Sequence, residues 1–256
     1  MGEVGGTRPL SGRWGNCCDC CNSRGDIGET SRTATGPGAA CRSARAYELA
    51  KRVLDVLVSA VVLILCLPLC LLIAVAIRLE SRGGVLFAQK RAGRTGEPFR
   101  MLKFRSMVRD AQARREQLVK ENGTDGPVFK VHNDSRVTRV GRVLRRTSLD
   151  ELPQFLNVLR GDMSLVGPRP LPVSDIGHRG PLPPGISQDV IDEWVAARLT
   201  VSPGVTGLWQ INGRSLLPLE GWVRYDTEAV DRQSALLDIK ILLLTPLVVL
   251  TGRGAF

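Results

Sequence analysis

Aromatic residues make up only 5% of this 256-residue chain, so the stacking platforms that grip single-stranded nucleic acid are poorly supplied. Histidine is scarcer still: His132 and His178 are the only two, both in expected loops, which leaves little for general-base chemistry by imidazole. The chain has no Walker loop, no Gly-x-Gly-x-x-Gly after a strand, no Gly-x-Ser-x-Gly and no histidine-based zinc motif. It shows no internal repeat and no second domain boundary. Of seven cysteines, Cys66 and Cys70 lie in an apolar run and read as small hydrophobes. Cys17, Cys18, Cys20 and Cys21 hold overlapping Cys-x-x-Cys spacings, but no second ligand pair completes a zinc module. Residues 1 to about 41 lack the apolar centre of a secretory signal and are expected to be a disordered tail or a misassigned start. The chemistry left is carboxylate, metal and arginine.

What the chain has in excess is positive charge. Its 35 Lys and Arg against 25 Asp and Glu give a net +10, which implies an anionic partner: nucleic acid, lipid headgroups or phosphorylated small molecules. It also has one long apolar run, Val56 to Ile77. As a straight helix this run would measure roughly 33 Å, enough to cross a bilayer core. Pro68 near its middle removes a backbone hydrogen bond and favours a kink. Both flanks are basic, with Arg42, Arg45, Lys51 and Arg52 before and Arg78, Arg82, Lys90 and Arg91 after. That symmetry suits a bent segment with both ends on one side; a one-pass anchor is the alternative. Arg136 to Arg146 places Val137, Val140 and Leu144 on one helical face, as in a lipid-surface helix or an ordinary helix packed on a core. Ile191, Trp194 and Val195 form a weaker stripe, and Ile239 to Leu250 is apolar but short for a span. Together they suggest a globule against one leaflet.

The most informative stretch is Arg145-Arg146-Thr147-Ser148-Leu149-Asp150-Glu151-Leu152-Pro153-Gln154. Ser148 with Glu151 fits a capping box; if Pro153 instead takes the first helical position, both carboxylates lie in the approach to that turn. Either arrangement puts them in a region that attracts phosphate or a metal-bound anion. Around it, Val85–Gln89 and Glu97–Arg105 read as strands joined by Gly93-Arg94-Thr95-Gly96, and Ser106 as the cap of a charged helix to about Asn122. Residues 123–135 read as a loop, Phe155 to Leu159 as a helix ending at Gly161, and Val166 to Pro170 as a rigid turn holding Arg169. Residues 171–187 are a Pro- and Gly-rich excursion.

From about Ala46 to Phe256 the chain closely resembles the bacterial sugar transferases, the monotopic polyprenyl-phosphate phosphoglycosyl transferases. The matching motifs are Lys51-Arg52-x-x-Asp55, Gln89-Lys90-Arg91-x-Gly93, Lys103-Phe104-Arg105-Ser106-Met107 and Thr147 to Gln154. Asn157 to Pro170, Pro203 to Arg214 and Asp226 complete the set. The resemblance implies transfer of a sugar-1-phosphate from a UDP-sugar to undecaprenyl phosphate with release of UMP, as the first membrane step of exopolysaccharide, capsule or O-antigen synthesis. It implies Asp150 as nucleophile, forming a phosphoglycosyl-aspartate, and Glu151 as the carboxylate associated with Mg2+. Lys103, Arg105, Arg145, Arg169 and Arg214 are expected around the phosphates, with Asp226 nearby.

The expected fold class is α+β. A disordered tail (1–41) precedes a re-entrant membrane helix broken at Pro68 (42–82) and a catalytic globule (83–256) of mostly helices with a β-hairpin. The expected setting is the inner, cytoplasmic membrane with the catalytic domain on the cytoplasmic face, in contact with membrane lipid and not nucleic acid; self-association is left open. Several positions depart from the family's pattern: Leu67 stands where serine often precedes the proline, Ser135 replaces the proline of Asp-Pro-Arg, and Ala229 stands at a commonly aromatic position. The rival reading is a non-catalytic basic scaffold on the membrane surface. No residue identifies the sugar.

Overall fold

The computed structural model describes residues 37–111, 134–177, 182, 183, 185–252 and 254, with 37–44 and 215 described for their backbone alone. The cysteine-rich tail, both histidines and most of the helix expected after Ser106 lie outside the described residues. The described residues fall into two units that divide between Leu49 and Ala50. The fold mixes helices with small two-stranded sheets.

Helix α1 (Pro37–Glu80) carries the apolar run. Only 11% of its most apolar 18-residue window is buried, unlike the core helix of a soluble protein. Val61, Ile64, Leu65, Leu71 and Leu72 are all more than half exposed. Helical structure continues through Pro68, so the expected break is not a break between two helices. A proline deletes one hydrogen bond of the ladder, which a helix survives with at most a bend.

Strands β1 (Leu86–Ala92) and β2 (Pro98–Phe104) form the expected hairpin, antiparallel with Gln89 opposite Met101. Its turn takes Thr95 to φ 66° and Gly96 to φ 84°. Helix α2 (Arg139–Thr147) opens at Thr138, whose hydroxyl accepts from Gly141 N, and buries Leu144. Leu144 and Val140 pack with Phe104, Ile73 and Ile77, so of the two readings of this apolar face the structure shows the one packed on a core, beside α1. Helix α3 (Gln154–Arg160) follows Pro153 and ends at Gly161 in the left-handed region. Helix α4 (Gln188–Leu199) buries Trp194 with Leu171 and Leu219; its stripe too faces inward.

Two features were not legible beforehand. Strand β3 (Ser164–Val166) pairs in parallel with β4 (Gly204–Thr206). The backbones touch at glycines: a Cβ on Gly204 would sit 2.1 Å from Gly167 N, and one on Gly207 2.5 Å from Gly167 O. After β4 come α5 (Leu208–Ile211), α6 (Leu219–Asp231) and α7 (Ala235–Thr251). The exposed side of α7 is a stripe of Leu236, Ile239, Leu243, Leu247 and Leu250.

The second feature is how α1 docks. Arg52 donates to Val158 O (2.6 Å) and Leu159 O (2.8 Å), placing a cation on carbonyls of the last turn of α3. Lys51 reaches Val166 O at 3.0 Å and Asp238 Oδ2 at 2.7 Å, and Asp55 Oδ1 accepts from Leu165 N at 3.0 Å. At the far end, Arg105 donates to Ser81 O (2.8 Å) and Arg82 O (3.2 Å), while Glu80 Oε1 accepts from Arg139 N at 2.7 Å. Both ends of the apolar run are thus tied to the same globule.

Candidate active site

Asp150 and Glu151 lie on a one-turn 3-10 helix, Leu149–Glu151, between α2 and α3. Ser148 ends α2 in the left-handed region (φ 57°), a conformation costly for a residue with a Cβ. The capping box does not form: Ser148 caps nothing with its side chain, and its hydroxyl accepts from Arg214 Nη2 at 3.0 Å. Glu151 is drawn elsewhere, and Pro153 leads into α3 behind the carboxylates. Arg214 is also left-handed (φ 52°), and its buried Nη1 has no hydrogen-bond partner among the described residues.

Two cations converge on one oxygen of Glu151. Lys103 Nζ, from β2, donates to Oε1 at 2.9 Å, and Arg169 Nη2 donates to the same atom at 2.7 Å. Lys103 also stands 3.8 Å from Asp150 Oδ2. Burial alone would raise the pKa of Glu151, but Arg169 and Lys103 override it and hold the carboxyl well below its usual range. Asp150 moves the other way. Burial pushes its pKa up and adjacent Glu151 adds to the rise, against the pull of Lys103 and Arg169. The turn therefore holds one firmly ionised carboxylate beside a more basic one, the division expected of groups with different tasks. The guanidinium of Arg169 is stabilised as a cation, first by Glu151.

Not all expected residues gather here. Arg145 is close enough to feel the charge of Asp150, and its Nε donates to Ser106 Oγ at 2.9 Å. Burial lowers the pKa of both Arg145 and Arg214. The guanidinium of Arg105 is turned to the end of α1, as given above. Asp226 is 2% exposed and accepts from Trp194 Nε1 (3.2 Å) and from Arg198 Nη1. Arg198, which sequence reasoning did not single out, also donates through Nη2 to the backbone carbonyl of Arg169. Arg91 Nη1 donates to Pro170 O at 3.0 Å; burial and the repulsion of Arg169 lower its pKa to about 10.

Two carboxylates ringed by cations thus lie close to an apolar helix, with Leu149 and Leu152 of the same turn packed on the cluster that holds Ile73 and Ile77. The model of the family described as bacterial sugar transferase matches residues 46–252. The chain belongs to this family. It is 40% identical over 208 residues to galactosyl transferase CpsE of Streptococcus agalactiae, covering 81% of this chain and 43% of that protein. It is 37% identical over 212 residues to the exopolysaccharide production protein ExoY of Rhizobium meliloti, covering 81% and 88%. It is 41% identical over 216 residues to a UDP-glucose:undecaprenyl-phosphate glucose-1-phosphate transferase of Caulobacter vibrioides, covering 82% and 73%. The chain thus spans less than half of the first relative and most of the other two.

No group of three or more metal-binding side chains occurs among the described residues of this family member. The donors available are the hard carboxylate oxygens of Asp150 and Glu151. Lys103 and Arg169 share Oε1 of Glu151, so Oε2 takes neither bond. One or two carboxylates, completed by water and substrate phosphates, are an ordinary set for magnesium and a poor one for zinc.

Proposed function

We propose that this protein transfers a sugar-1-phosphate from a UDP-sugar to undecaprenyl phosphate, with Asp150 as covalent nucleophile. The observation that carries the reading is geometric: Lys103 and Arg169 both bond Oε1 of Glu151, while Asp150 in the same turn receives neither bond and stands 3.8 Å from Lys103. Catalysis of phosphoryl transfer consists mainly of positioning and charge stabilisation, which fixed cations provide. A buried carboxylate of raised pKa keeps nucleophilicity that a fully ion-paired one loses. In the first step an oxygen of Asp150 attacks the donor's β-phosphorus. The bond from that phosphorus to the bridging oxygen breaks, and UMP leaves with the bonding electrons. In the second step the lipid phosphate attacks the same phosphorus, the bond to Asp150 breaks and the carboxylate returns.

Lys103, Arg169 and Arg214 would meet the donor phosphates, with Arg145 adjacent. Asp150 and Glu151 would hold Mg2+, which neutralises phosphate charge in such sites. Arg105 supports the junction of α1 with the globule and belongs to the reaction only through that. The lipid acceptor is reached because α1 and the exposed stripe of α7 offer apolar surface next to the globule. Docking of both α1 ends to one body favours a helix bent near Pro68, dipping into the cytoplasmic leaflet of the inner membrane and returning, over a one-pass anchor. UMP release from a panel of UDP-sugars with undecaprenyl phosphate tests the reading, and it should vanish in Asp150→Asn. A correctly inserted protein that releases no UMP from any of them would leave the scaffold reading in its place.

A further inference from the structure

We propose that Asp226 and Arg198 form a positioning pair, which fixes the backbone of Arg169 and through it the guanidinium that grips Glu151. The inference rests on the phosphoglycosyl-transfer reading and gives Asp226 a task away from metal and phosphate. Asp226, on α6, is 2% exposed, and one oxygen, Oδ2, receives both Trp194 Nε1 and Arg198 Nη1. A cation bound there would face the Arg198 guanidinium directly, a repulsive placement without water to screen it. Arg198 is 7% exposed, and its Cζ lies 4.4 Å from the centre of the Trp194 ring. Ion pair and ring fix the guanidinium plane, so its second terminal nitrogen is aimed at a single acceptor. That acceptor is Arg169 O.

The chain at Arg169 has little other freedom. Pro170 restricts the dihedrals of Arg169, Pro168 fixes φ one residue earlier, and Arg91 Nη1 holds Pro170 O at 3.0 Å. With its main chain pinned, Arg169 spans to Glu151 Oε1 at 2.7 Å by side-chain torsions alone. The series runs from Asp226 through Arg198 to the backbone of Arg169 and on through its guanidinium to Glu151, an ion pair at each end joined by a bond to a main-chain carbonyl, and links a sealed interior pair to the reactive turn. Arg198 and Asp226 touch no reacting atom here; they act by holding one that does. A displacement of Arg169 of about 1 Å would suffice to cost ~100-fold in rate.

A buried ion pair that only stabilises the fold would look similar, so the test is a double-mutant cycle on the full chain in lipid nanodiscs. Asp226→Asn and Arg198→Lys are each made alone and in an Arg169→Ala background. UMP release and calorimetric binding of UDP are the readouts. In the native background each is expected to lower kcat by about 10- to 100-fold with KM changed less. Added to Arg169→Ala, each should cost less than about twofold more, because the residue they position is gone. Equal losses in both backgrounds would overturn the proposal. So would a raised magnesium chloride requirement in Asp226→Asn but not in Arg198→Lys, the mark of a metal ligand. If Asp226→Asn does not fold, Arg198→Lys carries the cycle alone, since it keeps the charge facing Asp226. A wild type that binds UDP but releases no UMP would sink the proposed reaction. The binding cycle still decides the pair: coupling supports it and additivity overturns it.

Discussion

Glu151 Oε1 and Arg169 Nη2 stand 2.7 Å apart, tying the turn that carries Asp150 to the Pro168–Pro170 turn that follows β3. This contact makes the Asp150–Glu151 turn depend on β3 and β4. It also fixes the ionisation of Glu151, which in turn raises the pKa of its neighbour.

Glu151→Gln removes the charge that holds Lys103 and Arg169 in place. UMP release is expected to fall by roughly 100-fold or more, the scale of losing one preorganised electrostatic contact in an enclosed site. Steady-state rates in nanodiscs measure it, and a loss under threefold would contradict the assignment.

The pH dependence follows from the opposed shifts. Asp150 must be ionised to attack, so kcat/KM should fall with decreasing pH; burial and Glu151 raise its pKa in the metal-free protein, a bound Mg2+ would pull it back down, and the limb should therefore move to lower pH as magnesium chloride is raised. The stability signs differ. Glu151, with a depressed folded pKa, contributes stability that is present above its unfolded value of 4.5 and lost as pH falls through the folded one. Asp150, raised, carries a cost that is absent below 3.8 and grows as pH rises to its folded pKa. Glu151→Gln should therefore flatten the low-pH loss of thermal stability, which melting curves between pH 3 and 6 would read.

Gly204→Ala should destabilise the fold by about 1–3 kcal/mol or prevent folding, because its Cβ would meet backbone and not a yielding side chain. Thermal unfolding measures it. A melting temperature equal to wild type would mean that β3 and β4 do not approach as described.

Arg52→Ala deprives the end of α3 of two charge-assisted hydrogen bonds and should cost about 2–4 kcal/mol. The expected signs are a lower melting temperature and faster proteolysis between α1 and the globule. Unchanged proteolysis would argue that this arginine serves only as a membrane-flanking charge.

How much of this was legible in the residues depends on the range of the interactions. The β1–β2 hairpin was, because alternation and a Gly93–Gly96 turn are local signals. The apolar run and the Asp150–Glu151 pair were as well. Pairing of β3 with β4 was not, since three-residue strands 40 positions apart leave no periodicity to read. The capping box failed because a distant Lys103 and Arg169 outbid the backbone amides for Glu151. Lys51, Arg52 and Asp55 carried a family motif whose purpose, docking α1, depends on partners more than 100 residues away. Arg198 gave no signal at all: an arginine late in an amphipathic helix reads as surface, and only Asp226 and Trp194 bring it inside.

The central claim is a covalent bond between Asp150 and a sugar phosphate. Protein in nanodiscs, incubated with donor UDP-sugar but no acceptor lipid, quenched and digested, can be read by mass spectrometry. The expected result is a hexose-phosphate mass increment on the peptide containing Asp150, removed by adding undecaprenyl phosphate and missing in Asp150→Asn. An increment on another peptide, or full turnover by Asp150→Asn, would contradict the account.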